Sequence, residues 1–208
     1  MDKSDQYYRK IIFEINTNQK NIKDVAKEYN TTETNILALL GKKQSRIDSI
    51  NIVKIDSIIT LHNYPGESLV GFPENLTAWG IIQHSNKIDK YLDILKTASE
   101  NNEIPFRYYA MSLDRVLVHE NKHQVYGTQG MSIKIMNEET GKIEDFNFIW
   151  PIENPEKVNQ LRKKAGFTTS IKKNAKLIGI KYKEHPLDEI LNLIEKQKKL
   201  LVIEKLSY

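Results

Sequence analysis

Residues 124–150 read QVYGTQGMSIKIMNEETGKIEDFNFIW, and this stretch decides the fold class. Before it, apolar residues recur every three or four positions, which is the spacing of helices. Within it, residues 124–129, 131–136 and 143–150 are short and β-prone, and residues 139–142 (ETGK) are typical of a hairpin turn. We therefore predict an α+β protein that is mainly α, with a small antiparallel sheet in its second half.

Helices are predicted on both sides of this stretch from apolar periodicity and from capping residues. Ser4 is a candidate cap for the first helix, Gly41 is a weak point in the third, and Asn63-Tyr64-Pro65-Gly66 stops that helix. Further along, Asn154-Pro155 opens a helix that Gly166 closes. The predicted helices cover residues 4–16, 22–29, 36–40 continued by 47–62, 74–84, 87–100, 105–119 and 154–166, with a last helix after residue 186 and a further strand over 177–182.

The length and composition fit a globular chain, since 208 residues with 39% apolar content are enough to bury one good core. We predict one helical bundle-like domain over residues 1–168 and a Lys-rich C-terminal extension with a helix over residues 169–208. The absence of cysteine excludes disulfides, thiolate nucleophiles, cysteine-held zinc and iron–sulfur clusters. With no basic, apolar leader and no apolar run of about 18 residues, we expect a cytoplasmic protein without membrane insertion.

The net charge of +4 is unevenly distributed along the chain. Residues 170–208 contain nine Lys and five Asp or Glu, and the rest of the chain contains 22 basic and 22 acidic residues. A body that is neutral overall has no strong field to hold a polyanion, so nucleic acid is a disfavoured partner, although a local basic patch is compatible with this distribution.

Several polar residues fall where the helical pattern expects apolar ones. Asp48, Asn51 and His62 lie on the apolar side of the helix over residues 47–62, and Asp114 lies at the edge of the apolar stripe of the helix after Pro105. A buried carboxylate costs several kcal/mol unless it is paired, so these positions predict partners inside the protein. A hydrogen-bond network that fixes helix packing explains one such residue well, whereas several together favour a functional site.

His84 is the histidine best placed for proton transfer. It follows Gln83, and Gly80 one turn earlier permits close backbone approach on that side of the helix. A histidine with a pKa near about 6.5 acts as a general acid or base when an aspartate orients it. A histidine whose ring nitrogen simply bonds a backbone carbonyl explains His84 alone equally well.

The order of polar motifs along the chain resembles that of a known family. The motifs are Asp5-Gln6 with Arg9, Asp48 with Asn51, Tyr64-Pro65-Gly66 with Val70-Gly71, Ala78-Trp79 with Gln83-His84, Asp114-Arg115, Gln124 with Tyr126-Gly127-Thr128-Gln129, and the closing Ile152, Val158, Arg162 and Gly166. This order resembles a bacterial domain-of-unknown-function family, number 6624, over about residues 5–167. The resemblance implies one domain and a shared set of polar positions, and it implies no reaction. The chain departs from the family pattern by continuing past Gly166 to residue 208.

Three functions are compatible with these residues. In the first, an enzyme performs hydrolysis or group transfer on a small polar or anionic substrate, with catalytic His84, Asp114 and Arg115. Its substrate-binding residues are Arg9, Asp48, Asn51, Gln83, Tyr126, Thr128 and Gln129. In the second, the same residues hold a ligand or a partner protein without turnover. No phosphate-binding glycine loop, nucleotide fingerprint or serine elbow is present. His119 and His123 are four residues apart but flank the turn expected at Asn121-Lys122, so they are not expected to share a helical face, and we predict neither cofactor nor metal.

The third function is DNA binding through a helix-turn-helix over residues 22–40, and it is the least favoured. Asn30 stands where a turn glycine is common, and the reading helix over residues 32–40 contains Glu33 and no Arg or Lys. The sequence does not indicate an oligomeric state.

Overall fold

The computed structural model describes the backbone of residues 3–137 and 140–206 and the side chains of residues 5–137 and 140–198. In this described part, ten α-helices and a two-stranded antiparallel sheet are present, so the predicted α+β, mainly α class is confirmed, as is the C-terminal helix. The helices are α1 (Lys3–Asn16), α2 (Ile22–Glu28), α3 (Ile36–His62), α4 (Glu67–Val70), α5 (Leu76–Ile82), α6 (Leu92–Glu100), α7 (Phe106–His119), α8 (Val158–Lys164), α9 (Ile171–Leu177) and α10 (Leu187–Leu206), and the strands are β1 (Gly130–Met136) and β2 (Ile143–Ile149).

The chain folds into two compact units, Met1–Ile104 and Pro105–Tyr208. The first unit contains α1 to α6, and the second contains α7 to α10 together with the sheet. The predicted division into a domain over residues 1–168 and an extension over residues 169–208 stays a prediction.

In the first unit, α1 and α2 pack against α3. Ile11 and Ile15 of α1 meet Val25 of α2 and Leu40 of α3 in a buried apolar cluster. These residues recur at helical spacing, so each helix presents one continuous apolar stripe to its neighbours. The packing matters for the site because the polar residues of α1 and α3 lie on the same two facing surfaces.

Helix α3 is continuous through Gly41, where the sequence predicted a weak point. Tertiary packing of the apolar face on both sides of Gly41 outweighs the low helix propensity of one glycine. The helix ends as predicted, at Asn63, whose φ of 60° is a left-handed conformation.

Gly41→Ala is expected to raise the free energy of unfolding by about 0.5–1 kcal/mol, because alanine loses less backbone entropy than glycine on entering a helix. An added Cβ at Gly41 meets no atom within 4 Å. Urea denaturation measures the change. Gly71→Ala is the matched control, because Gly71 has a φ of 78° and equally open surroundings, so the same methyl group should be destabilising there. A destabilised Gly41→Ala protein would contradict this account.

Several predicted features of the first unit are wrong. The helix expected over residues 74–84 covers only Leu76–Ile82, and the one expected over 87–100 begins with the 3-10 turn Asp89–Tyr91 before Leu92–Glu100. The short helix Glu67–Val70 was not predicted. His62, expected on the apolar side of α3, is exposed, because it lies in the last turn of the helix, beyond the last buried residue of α3, Ile59.

In the second unit, β1 and β2 pair antiparallel, with Gly130 opposite Ile149 and Met136 opposite Ile143. Gly141 has a φ of 65° in the connection between them, whereas Glu139 of the predicted turn lies outside the described residues. Helix α10 packs against β1. A buried cluster containing Phe148, Trp150 and Ile190 joins the sheet to this helix.

Two strands predicted in the second unit are not formed. Residues 124–129 form a loop in which only Gln124 makes an isolated bridge, to Ile152. Residues 177–182 follow helix Ile171–Leu177 as an irregular segment. Leu177 is the last residue of the helix, and Ile180 is buried with Ile171 and Ala175. The β-prone residues of this segment therefore pack a turn against the helix and do not form a strand.

Candidate functional site

The polar face between α1 and α3 is built around Asp5, which is buried. The Asn51 side chain donates a hydrogen bond to Asp5 Oδ1 at 3.1 Å, and Gln6 donates to Asp5 Oδ2 at 2.7 Å. Gln44 donates both to the Asp5 carbonyl oxygen at 2.9 Å and to Asp48 Oδ1 at 2.8 Å. These bonds compensate the removal of a carboxylate from water, which explains how Asp5 and Asn51 are tolerated inside the unit.

Asp48 is held by Arg9, whose Nη2 donates to Asp48 Oδ1 at 2.6 Å. Arg9 thus bonds to α3 and not to Asp5, which lies one turn earlier on its own helix and is already satisfied by Gln6 and Asn51. The side chains of Arg9 and Asp48 are 26% and 20% exposed, so this charge-assisted bond is partly shielded from water.

Three polar atoms of this network have no hydrogen-bond partner among the described residues. Among the described residues, both hydrogen bonds to Asp48 go to Oδ1, which leaves Oδ2 without a protein partner. Arg9 Nε and Gln44 Oε1 are buried and also lack a hydrogen-bond partner in the described structure.

Asp48 and His84 line one cavity of about 260 Å³. Its other walls are Ser45, Ser49 and Ile52 of α3 and Ser85 and Asn86. His84 does not lie on a helix as predicted. It lies in the turn after α5, where its backbone N–H bonds the Ile81 carbonyl at 3.2 Å. Because α5 packs against α3, this turn places His84 over the polar side of α3.

A second cavity of the first unit, about 600 Å³, is larger but contains none of the ten predicted site residues. Its lining includes His62, Asp93 and Glu103. Both oxygens of Glu103 are occupied by Ser68, through its backbone N–H at 2.9 Å and its hydroxyl at 2.6 Å, and these bonds hold the pKa of the Glu103 carboxyl below its usual value. Gly66 is required here, because an added Cβ would collide with the Glu103 side chain. Glu103 therefore fixes the chain around Gly66 and Ser68.

In the second unit, the Asp114 carboxylate is fully buried and holds the loop of residues 124–129. It accepts hydrogen bonds from the backbone N–H groups of Val125 at 2.7 Å, Tyr126 at 3.0 Å and Thr128 at 2.9 Å, and from the Thr128 hydroxyl at 2.9 Å. Burial raises the pKa of the Asp114 carboxyl, and these hydrogen bonds oppose that rise. A carboxylate with four donors around it is an anchor for the loop.

The ends of the loop are closed by Gln124, which is also fully buried. Its amide nitrogen donates to the carbonyls of Gln129 at 3.0 Å and Trp150 at 2.6 Å, and its amide oxygen accepts from the Gln129 N–H at 2.9 Å. The Gln129 side chain in turn donates to the Thr128 hydroxyl at 3.0 Å. Gln124, the first residue of the loop, is thus hydrogen-bonded to Gln129, the last.

Arg162 supports the other side of the same loop. It is 1% exposed, and its guanidinium donates to the Tyr126 carbonyl at 2.8 Å and to the carbonyl and hydroxyl of Thr169 at 2.8 and 3.0 Å. It also lies 4.6 Å from the centre of the Phe167 ring. Burial lowers the pKa of Arg162, and the Asp114 charge opposes that shift. Tyr126 therefore lies between a buried anion and a buried cation.

Comparison with known protein families identifies the chain. Residues 12–183 match a family of unknown function, DUF6624. The chain belongs to this family. The resemblance inferred from the order of the polar motifs is thereby confirmed. Comparisons with curated proteins and with solved structures find no match.

In this DUF6624 chain, the ten predicted site residues are divided between the two units. Arg9, Asp48, Asn51, Gln83 and His84 belong to the first unit, and Asp114, Arg115, Tyr126, Thr128 and Gln129 belong to the second. Within the first unit Asp48 and His84 line the same cavity, whereas Gln83 is the C-cap of α5 and Asn51 lies behind Asp48, bonded to Asp5. Within the second unit Arg115 follows Asp114 on α7, and its side chain is half-buried.

Sequence reasoning on this DUF6624 chain missed Gln44. It lies one helical turn before Asp48 on the same face of α3, so its position could have been predicted by continuing the polar face of the helix across Gly41.

Among the described residues, no group of three or more His, Asp or Glu is arranged to hold a metal ion. No helix in the described part of the chain has both the length and the apolar character needed to span a bilayer.

Proposed function

We propose that the cavity between Asp48 and His84 binds a small polar molecule and that His84 transfers a proton to or from it. The observation that carries this proposal is the pairing of an aspartate, clamped through one oxygen, with a histidine on the wall of one cavity. Convergent polar groups in a concave site are the usual sign of a ligand-binding or catalytic function.

The network behind Asp48 supports a preorganised site. Arg9 and Gln44 fix Oδ1 of Asp48 from two directions, so its second oxygen is presented to a ligand in a fixed position. A side chain held in this way does not have to be ordered when the ligand binds, which lowers the entropic cost of binding.

The lining favours a neutral or cationic polar ligand over an anion. Asp48 is the charged residue on the wall, accompanied by three serine hydroxyls and the Asn86 amide. A volume of about 260 Å³ corresponds to roughly nine water molecules at ~30 Å³ each. A molecule the size of a sugar or an amino acid, with hydroxyl or amino donors for Asp48 Oδ2, fits both the size and the chemistry.

The reaction that this arrangement suits best is hydrolysis or group transfer. His84 would take the proton from an attacking water or hydroxyl group and return it to the leaving group, so the imidazole ends the cycle as it began. Asp48 would stabilise the intermediate imidazolium by its negative charge. In this proposal Asp114 is a positioning residue for its loop, because its buried carboxylate is engaged by four protein donors.

A non-catalytic ligand-binding function is the second candidate, and the closed hydrogen bonding of the loop in the second unit favours it. Asp114, Gln124 and Arg162 hydrogen-bond the main chain of this loop, an arrangement that holds one loop conformation. DNA binding through α2 and the start of α3 stays a disfavoured prediction.

The proposal is tested with His84→Gln, which keeps a polar side chain but cannot transfer the proton. A thermal-shift screen of neutral and cationic sugars, amino acids and amines identifies ligands, which are then assayed for conversion. For an enzyme, we expect His84→Gln to retain binding within about fivefold and to lower kcat by about 10²–10⁴-fold. If the protein only binds its ligand, neither the unmodified protein nor His84→Gln converts that ligand.

His84→Ala and His123→Ala are the matched pair for binding. His84→Ala should weaken binding at least tenfold while shifting the melting temperature by only a few degrees, and the exposed His123→Ala should change neither. A His84→Ala protein that fails to fold would assign His84 to the core, and full ligand binding by a folded His84→Ala protein would exclude this cavity as the site.

A further inference from the structure

Residues 170–183 contain five lysines and no acidic residue. Three of the lysines, Lys172, Lys176 and Lys181, line one cavity of about 600 Å³, together with Gly179, Ile180 and Tyr182. We call this feature the lysine cavity. It lies entirely within the second unit, and it is separate from the residues proposed above for proton transfer.

The local fold explains why the lysines converge. Ile171, Ala175 and Ile180 are buried in one apolar cluster, which fixes α9 on the unit. Lys172 and Lys176, four residues apart, therefore share the outward face of α9. Gly179, with a φ of 76°, then reverses the chain so that Lys181 and Tyr182 return to the same cavity.

The lysines of this cavity lack a carboxylate partner within the described part of the protein. Across the described side chains, none of the five lysines of residues 170–183 forms a salt bridge, whereas Lys134 pairs with Asp145 and Lys198 with Glu195 in the same unit. The first carboxylate after the run is Glu184, which lines a different, much smaller cavity with His185. Clustered like charges repel one another, so an anion between them is favoured.

Tyr182 adds a neutral donor to the cavity wall. Its ring packs against the buried cluster of Ile171 and Ile180, and its hydroxyl has no hydrogen-bond partner among the described residues. Burial raises the pKa of Tyr182, with the negative charge of Glu184 contributing to the rise, so the phenol keeps its proton at neutral pH. Tyr182 is therefore a neutral phenol on the cavity wall, and a phenol O–H is a hydrogen-bond donor.

We propose that the lysine cavity binds a phosphate-bearing anion through Lys172, Lys176 and Lys181. Ammonium groups are strong point-charge donors for phosphate, and the volume lies in the range of small-ligand sites, roughly 300–1,000 Å³. A long nucleic acid fits less well, because residues 1–169 contain 22 basic and 22 acidic residues, so the net positive charge of the chain lies in residues 170–208. The phosphate belongs either to a soluble molecule or to a lipid headgroup.

Two probes separate these sources. Sodium tripolyphosphate, titrated into the full chain by calorimetry in 50 mM salt, tests a soluble ligand. Cosedimentation with phosphatidylglycerol vesicles, compared with phosphatidylcholine vesicles, tests a headgroup. If the headgroup is the source, the exposed Leu177 and Ile178 next to the cavity should contribute, and Leu177→Ser/Ile178→Ser should reduce vesicle binding but leave tripolyphosphate binding unchanged.

The lysines are tested as a set. Lys172→Met/Lys176→Met/Lys181→Met should weaken binding of the active probe at least tenfold and flatten its dependence on salt. The control Lys27→Met/Lys42→Met/Lys54→Met removes the same charge from exposed positions of the first unit and should change binding less than twofold. The proposal is overturned if neither probe binds the unmodified chain, or if both triple variants lose affinity equally, since the effect would then be one of net charge alone.

Discussion

Asp114→Ala is expected to lower the free energy of unfolding of the second unit by about 3–5 kcal/mol. The substitution leaves the N–H groups of Val125, Tyr126 and Thr128 without their acceptor, and all three face the interior of the loop. It also leaves Arg162 without the opposite charge nearest to it. Each lost bond to an ionised acceptor contributes roughly 1.5–3 kcal/mol, and relaxation of the loop offsets part of the total.

The measurement uses the two tryptophans of the chain, because Trp79 lies in the first unit and Trp150 in the second. Trp150 is buried, and its indole N–H donates to the Lys122 carbonyl at 2.8 Å, so its fluorescence reports unfolding of the second unit. In a Trp79→Phe background, urea denaturation followed at Trp150 should show the loss for Asp114→Ala. A chain with two compact units need not unfold in one step, so a single reporter keeps the result interpretable.

Asp145→Ala is the matched control. Asp145 is an aspartate of the same unit, but its salt bridge with Lys134 joins side chains that are 60% and 59% exposed. Exposed pairs contribute little, so the expected change is within about 0.5 kcal/mol. A loss below about 1 kcal/mol for Asp114→Ala would show that the loop is held by Gln124 and Arg162 without the carboxylate.

The helices could be predicted because their signals are local. The apolar spacing of α1 and α7 and the proline before α7 and α10 depend on residues within a few turns of one another. The C-terminal end of α5 could not be predicted, because no glycine or proline marks it: Gln83 and His84 form a turn directly after Ile82.

The buried polar positions Asn51 and Asp114 were also predicted, but their partners were not. The periodicity of a helix states which face a residue occupies. It does not state that Asp114 binds backbone N–H groups 11 to 14 residues later, or that Asn51 reaches Asp5, 46 residues earlier. Such partners are set by tertiary packing. Because nearly every residue carries a main-chain N–H and a carbonyl, the residue type does not reveal which of these groups will be the partner.

The same reason accounts for the strand wrongly predicted over residues 124–129. Its composition is β-prone, but a strand requires its N–H groups for a neighbouring strand. Here the N–H groups of Val125, Tyr126 and Thr128 are taken by the Asp114 carboxylate, and that of Gln129 by the Gln124 side chain. A single buried carboxylate thus converts a strand-like sequence into a loop.

Gly127→Ala is the second substitution with a large expected effect, a loss of about 2–5 kcal/mol from the second unit. Gly127 has a φ of 66°, which costs an alanine roughly 1–2 kcal/mol. An added Cβ would also collide with Ile171 and lie 2.9 Å from Ile152 Cδ1, and both side chains are buried. Moving them disturbs a packed cluster, which adds about 1–3 kcal/mol.

Gly166→Ala separates these two causes. Gly166 has a φ of 83°, but an added Cβ there meets no atom within 4 Å, so only the backbone cost of about 1–2 kcal/mol is expected. The difference between the two variants, measured by urea denaturation at Trp150, then gives the cost of the close approach of Gly127 to Ile171 and Ile152. Equal losses would mean that the isoleucines move aside without cost, and that Gly127 is required for its backbone conformation alone. A larger loss for Gly127→Ala would show that the loop held by Asp114 is positioned against the packed core as well as by its hydrogen bonds.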